Sequence, residues 1–577
     1  MLIGAFPTLL ATTGAAPGGR LDEVKNLPPI VFVSRGPVPG EAGAIPGLGP
    51  HHRAVVTGGR LLVRDRKGRV RELLPRDAFV DVSDPSVSPA AHRIAFAGVT
   101  RAEGAWRIWM VGVDGGDLRQ VTFGDIGEEH SAFTDVTVPR FDDLDPCWID
   151  DSTLVFASTR NARSAQYADV PVTNLFTTCV PLGPGRACPP RRITAERNGA
   201  EEPAMDWTRG RLLFSRWWFN RYRAAESSGE RSEGITTDAG SAIARDTVNL
   251  WQPMEMSLSA PRPRLAAGDL RTRRGTMGYQ PAALAGGAIA AVYAANLGLS
   301  PRPGGAGIHA LPRSFAPARR LAGAIVSGRA GDVYGGTEGL APTSACSPAA
   351  LPDGRVLFSY SPGARGDFGL FVMNADGSRI RRVLDLPGTL ELDAAPIVAR
   401  ATRPREAPLE AADLEDPDTL LRRAGALPRR PGEPPASSPG PGGGATFRFH
   451  DLDVFADGPP GSPARGAAPR TAGARIRFFA TLARPGREGG DTAILVREAP
   501  VGPNGEVNER GLPADTPMFE QLVGPDGRVL MTAHGPAHVA GFNAGTAGFA
   551  TRCVGCHLGH STLPLASAAT RAKAAGR

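Results

Sequence analysis

Along the first 400 positions the apolar residues fall into short alternating runs broken by Gly, Pro, Asp and Asn, which is the period of a half-buried strand and not of a helix. The runs recur in a larger unit. Each unit opens on an acidic or polar residue followed by Pro; about ten residues later comes an apolar pair, often ending in Phe, then an alternating strand and a segment rich in Arg and Leu. Asp84-Pro85 leads to Phe96, Ile108–Val111 and Val121; Asp145-Pro146 to Phe156, Leu175-Phe176 and Ile193; Glu202-Pro203 to Phe214, Leu250-Trp251 and Leu265. Gln280-Pro281 leads to Val292-Tyr293, Ile308 and Leu321, and Ser347-Pro348 to Phe358, Leu370–Met373 and Val383. Each unit predicts four short strands. A single meander cannot bury both faces, and radial stacking of several such meanders can, which predicts a β-propeller.

The ends of this region predict how it closes. Ala395–Val398 reads as the first strand of a sixth unit, and its missing partners stand at the other end: Ile30–Ser34, Arg60–Arg64 and Val70–Leu73. The expectation is a mostly β chain with a six-bladed propeller over 28–400, its last blade built from both ends, which removes two exposed sheet edges. Residues 1–27 read as a leader or a disordered N-terminus. A Pro-, Arg- and Gly-rich linker, with a short helix at 409–424, spans 401–445. Strand patterns return over 446–532, including a hairpin from Pro517–Val523 into Arg528–Met531, so a small β-rich domain is expected there, followed by a separate segment at 533–577.

Composition changes little in this picture. The 72 Gly and 54 Pro supply the turns that many short strands need. The net charge of +7 is spread along the chain and forms no basic block with interleaved aromatics, so nucleic-acid binding is not expected. No stretch reaches the ~18 apolar residues that span a bilayer. No Gly-x-Ser-x-Gly accompanies the propeller pattern, which leaves a hydrolase without its nucleophile.

The cysteines carry the chemistry. Cys553-Val554-Gly555-Cys556-His557 has the spacing at which two thiols form thioethers to the vinyl groups of one haem and the next histidine lies under the iron. By this chain's own Cys and His frequencies a chance match arises about once in a thousand such sequences. The expected cofactor is therefore one covalent haem c, with Cys553, Cys556 and His557 binding it and His534, His538 or Met531 as candidates for the opposite face. Zinc is the alternative, with His560 as a fourth ligand, but no second paired motif accompanies it; calcium has no motif of its own. Phe519, Leu522, Phe542 and Phe549 are read equally as haem contacts or as core. Cys179 and Cys188 flank Gly183-Pro184-Gly185 as either a hairpin disulfide or two free thiols. With the Pro-led strands innermost, Asp84, Asp145 and Glu202 stand near one mouth of the channel, beside Cys147 and Cys346. They are candidates for a cation or substrate site, set against the plainer reading that Asp-Pro starts turns and that the two thiols are buried structural residues.

Two stretches carry family resemblances. Leu351–Ser359 (LPDGRVLFS) and Val372–Ser378 (VMNADGS), with the Asp-Pro openings, resemble the TolB-like, PD40-type propeller repeat. Ala499–Val507, Leu512–Leu530 and the CVGCH run, behind such a propeller, resemble the hydrazine synthase alpha subunit-like family. That resemblance implies fold, haem attachment and export to a periplasm, where c-type haem is attached. It does not extend to hydrazine synthesis: the hydrazine-forming subunit has a second haem domain and a Tyr at its active haem, whereas this chain has one CxxCH and no Tyr after Tyr360. The functions expected are electron transfer with a redox partner protein or other cytochrome subunits, or small-molecule redox chemistry at one haem. The alternative is a non-catalytic binding platform for a protein or small-molecule ligand, or a sensor with a structural haem or zinc site.

Overall fold

The computed structural model of the chain describes residues 24, 26–41, 44–130, 135–165, 170–180, 185, 187–220, 231–233, 248–258, 263–267, 278–294, 306–313, 318–323, 344–362, 367–400, 446–455, 468–482, 492–532, 535–536, 544–545 and 550–553. The described elements are all strands. The linker 401–445 and its expected helix lie outside the described residues.

Six four-stranded antiparallel sheets account for the region up to residue 400. The sixth sheet starts the chain, with β1 (Ile30–Arg35), β2 (Arg60–Arg64) and β3 (Val70–Glu72). The first sheet is β4 (Asp81–Val87), β5 (Arg93–Val99), β6 (Arg107–Gly112) and β7 (Arg119–Gln120). A hairpin, β8 (Gly127–His130) and β9 (Asp135–Val138), precedes the second sheet: β10 (Asp143–Asp150), β11 (Thr153–Ser158), β12 (Asn174–Cys179) and β13 (Arg191–Arg192). The third holds β14 (Ala200–Asp206), β15 (Arg211–Asn220), β17 (Val248–Met256) and β18 (Arg264–Leu265), with β16 (Arg231–Glu233) leaving it. The fourth is β19 (Tyr279–Ala283), β20 (Ile289–Ala294), β21 (Ala306–Leu311) and β22 (Arg319–Gly323). The fifth is β23 (Ser344–Ala350), β24 (Val356–Ser361), β25 (Gly369–Met373) and β26 (Arg381–Leu384). Then β27 (Leu390–Pro396) pairs with β1, so strands from both ends of the region share the sixth sheet.

The first strands β4, β10, β14, β19, β23 and β27 each pack on the next, and β27 packs back on β4, closing a circle. The second strands lie between neighbouring sheets. Phe96, Phe156, Phe214 and Phe358, the apolar marks of the sequence repeat, are fully buried there, each contributing roughly 1.5–3 kcal/mol by burial. Two expectations shift. The first strand of the sixth sheet is Leu390–Pro396 and not Ala395–Val398, because the Pro that opens the other units is missing after Asp393 and the repeat frame slips. Leu27, assigned to the N-terminal tail, is buried with Leu351 and Leu357, and Val24 packs on the same cluster.

The later unit comprises β28 (Thr446–Asp451), β29 (Arg475–Leu482), β30 (Thr492–Pro500), β31 (Val507–Pro513), β32 (Met518–Val523), β33 (Met531–Thr532), β34 (Gly535–Pro536) and β35 (Ala550–Cys553). One sheet runs β16-β30-β29-β32, so β16, which leaves the third sheet, joins this unit; the other runs β31-β28-β35. Phe449 meets Phe478 edge-on at 5.0 Å and Phe479 stacks on Phe519 at 4.9 Å. Phe519 and Leu522 are thus core residues. The expected 517–531 hairpin reduces to its turn and one Val523–Val529 bridge. β32 takes its ladder from β29 along one edge and stands at the edge of that sheet.

Candidate functional site

The Asp-Pro openings have a structural cause. Proline lacks the N–H a ladder needs, so a strand carrying it bulges. Five first strands shift register at such a proline, and β27 shifts in the same place at Asp393-Ala394 without one. The residue at each bulge takes a left-handed backbone: Asp84 (φ 52°), Asp145 (50°), Glu202 (53°), Gln280 (49°), Ser347 (50°) and Asp393 (54°). Non-glycine residues adopt this conformation uncommonly, and its sixfold recurrence turns six polar side chains onto one ring.

Contacts run from bulge to bulge around the ring. The carboxyls of Asp84 and Asp145 approach each other. The Glu202 N–H donates to Asp145 Oδ2 (3.0 Å), Gln280 Nε2 to Glu202 Oε1 (3.1 Å), and the Ser347 N–H to Gln280 Oε1 (2.9 Å). Ser347 Oγ donates to Asp393 Oδ1 (2.8 Å), and Asp84 is close enough to Asp393 for their charges to interact. Carboxylate oxygens of Asp84, Asp145 and Glu202 lie within 4.8 Å of one another.

Burial is the main cause of the ring's electrostatics. It raises the Asp84 carboxyl above its ordinary range; burial and then the neighbouring carboxylates raise Asp145 and Glu202 well above it. Asp393 is pushed up to about 7, by burial first and Asp84 second. Like charges this close cannot all ionise without a counter-ion.

Above the ring lies a cavity of about 510 Å³. On every first strand its lining begins at the ring residue and continues toward the strand's C-terminal end, so the ring is its floor. Its wall is largely apolar, with Pro146, Pro203, Met205 and Leu284 among its residues, and Arg400 is its one cation among the described residues. Beneath the floor, the segment between β1 and β2 crosses to several sheets. Trp106 Nε1 donates to Ala54 O, Arg53 donates to Glu201 Oε1 and to Pro171 O, and Ile45 and Leu48 pack with Trp217, Trp251 and Tyr279. Glu201 also accepts from Thr173 Oγ1 (3.0 Å) and Tyr279 OH (2.7 Å), so this buried charge is fully paired. Arg35 and Asp81, both without exposed side-chain surface, pair at 2.9 Å on the same side.

Of the residues singled out from sequence, Asp84, Asp145 and Glu202 are brought together. Cys147 lines the cavity, and burial pushes its thiol up to about 12. Cys346 is buried beside Ser347, and burial raises its thiol too. Sequence reasoning named three acids and missed the rest of the ring. Gln280 and Ser347 were visible as unit openings but carry no charge, and Asp393 lacks the following Pro. Cys179 and Cys188 form a disulfide.

At the haem motif, Cys553 ends β35, whose parallel partner β28 sets Asp451 opposite Cys553. Met531 lies on β33. Cys556, His557, His560, His534, His538, Phe542 and Phe549 lie outside the described residues.

No protein-family model matches the chain, and no curated protein matches it. Among solved structures, hydrazine synthase from Kuenenia stuttgartiensis aligns over 95% of this chain and 71% of its own, with TM-score 0.62 and 16% identity. TolB from Acinetobacter baumannii aligns over 64% of this chain and 66% of its own, with TM-score 0.38 and 13% identity. What the first of these likenesses establishes is shared architecture: over nearly its whole length the chain has the fold of a chain of hydrazine synthase.

Proposed function

We propose that the chain is an exported six-bladed β-propeller, its blades the six sheets, carrying one covalent c-type haem at Cys553, Cys556 and His557. The observation that carries the reading is the CVGCH run itself, whose first residue, Cys553, is the last residue of β35 and stands in register with Asp451 of β28. The donor set of two thiols and an adjoining imidazole suits haem c. When bound, the haem supplies an iron that changes oxidation state. The chain's own part would be to hold it through Cys553, Cys556 and His557, with His534, His538 or Met531 as the candidates for a further iron ligand. With that group bound the site carries electrons to a redox partner protein; without it the open face takes a small molecule. The disulfide supports export, since such bonds persist in oxidising compartments. No helix among the described residues is long and apolar enough to cross a membrane.

The test is expression in a periplasm with c-haem maturation machinery. A pyridine haemochrome spectrum that disappears on replacing Cys553 and Cys556 with Ala supports the reading; a colourless protein holding stoichiometric zinc overturns it.

A second reading concerns the cavity. Convergence of Asp84, Asp145 and Glu202 on its floor supports a propeller that binds a cationic ligand, an inorganic ion or a small amine. Calcium and spermidine titrated separately distinguish the two. If neither cation raises Tm or gives binding heat, this reading is excluded, and an effect kept in the Asp145→Asn variant would place binding elsewhere.

A further inference from the structure

The segment between β1 and β2 packs beneath the cavity floor, and the cavity's lining extends to the side where the chain leaves β27. Along residues 397–400 the chain runs across that rim. The Ile397 N–H donates to Pro29 O, beside the sixth sheet, at 2.8 Å, and the Arg400 N–H to Pro89 O, in the first sheet's β4–β5 turn, at 2.7 Å. The Arg400 guanidinium then lies 5.7 Å from the centre of the Trp207 ring, in the third sheet. The strap therefore joins the sixth, first and third sheets and passes over the second, where Cys147 lines the cavity. Arg400 is near enough to Cys147 to favour its thiolate. Opposite the strap the rim is open: Ala285 and Pro352 are exposed.

The geometry points to the Arg400 side chain, carried on the strap of residues 397–400, as a latch that half-covers the cavity, held shut by the Arg400–Trp207 contact, so that release of this contact opens the second-sheet side of the ligand site. The inference rests on the cavity being a ligand site. Three features make it a latch and not merely a chain exit. Two backbone bonds hold the path of the strap, while the contact that reaches the far side is a single cation–aromatic pair. Such pairs contribute about 0.5–1 kcal/mol at exposed sites and ~2 when desolvated, small enough to break and re-form. Among the described residues Arg400 is also the only cation in a cavity with four carboxyls on its floor, so a cationic ligand competes with it for the Trp207 face.

Cys147 is the built-in reporter. In the full-length holoprotein, labelling with a maleimide at constant pH is read residue by residue by peptide mass spectrometry. Arg400→Gln and Trp207→Leu each accelerate modification of Cys147 by about tenfold or more, the factor corresponding to loss of ~1.4 kcal/mol of closure. Cys346, buried but outside the cavity lining, keeps its rate. Unchanged Cys147 labelling in both variants overturns the latch. So does equal acceleration at Cys346, which signals general loosening. The labelling does not depend on a cation being bound, so failure of the cation reading leaves this result standing, and failure of the latch leaves cation binding measurable.

Discussion

The backbone N–H of Glu202 donates to Oδ2 of Asp145 at 3.0 Å, across the boundary between the second and third sheets. This one bond shows how the ring works: a carboxylate at one bulge takes up the N–H of the next bulge, where proline breaks the ladder. The ring is part of what holds neighbouring sheets in register, and its charge state bears on stability and on binding.

Stability should therefore fall as pH rises from about 4 to about 7. Asp393 has a folded-state value raised to about 7 from 3.8, so its contribution is complete below its unfolded value and is lost as pH climbs through the folded one. The loss attributable to it is at most of order 4 kcal/mol. Asp393→Asn, which keeps an acceptor for Ser347, flattens the Tm profile over pH 4–7. An unaltered slope in that variant contradicts the assignment.

Cation uptake at the ring, where it occurs, displaces protons held by Asp145, Glu202 and Asp393, because burial keeps them protonated until a counter-ion arrives. Calorimetry in buffers of different ionisation enthalpy should show proton release near pH 6 that declines in Asp393→Asn. A binding heat independent of buffer rules the coupling out.

Arg53→Ala leaves Glu201 buried with its hydroxyl partners alone. Breaking a buried pair from one side destabilises by about 3–5 kcal/mol. The double variant Arg53→Met with Glu201→Gln should recover much of that loss in urea denaturation. Recovery absent from the double variant would show that Arg53 acts through packing.

Replacing Cys179 and Cys188 with Ser removes a short closed loop, and for loops of this order the stabilisation lost is about 2–3 kcal/mol. Thiol counting without reductant should find Cys147 and Cys346 free and this pair protected. Detection of both as free thiols in the exported protein would refute the bridge.

Much of the β-sheet region was legible because its unit repeats. Phe96, Phe156, Phe214 and Phe358 mark second strands that must be buried on both faces, and a pattern repeated several times survives local noise. The sixth sheet was harder: its first strand was placed about five residues late, since Asp393 is followed by Ala and so lacks the proline signal. Of the candidate site, the three acids were legible as Asp-Pro or Glu-Pro pairs. The segment packed beneath the floor was not, because Arg53 meets Glu201 only when sheets far apart in the chain are brought side by side.

The sequence by itself determined the strand period, the repeat, the bulge-forming prolines and the Cys553–His557 spacing, since each is a property of residues close along the chain. Only the tertiary structure decided that six bulges face one axis, that Gln280, Ser347 and Asp393 complete the ring with the three acids, and that Arg400 reaches Trp207. Those relationships depend on closing a circle of sheets, and convergence at an axis leaves no mark within any single unit.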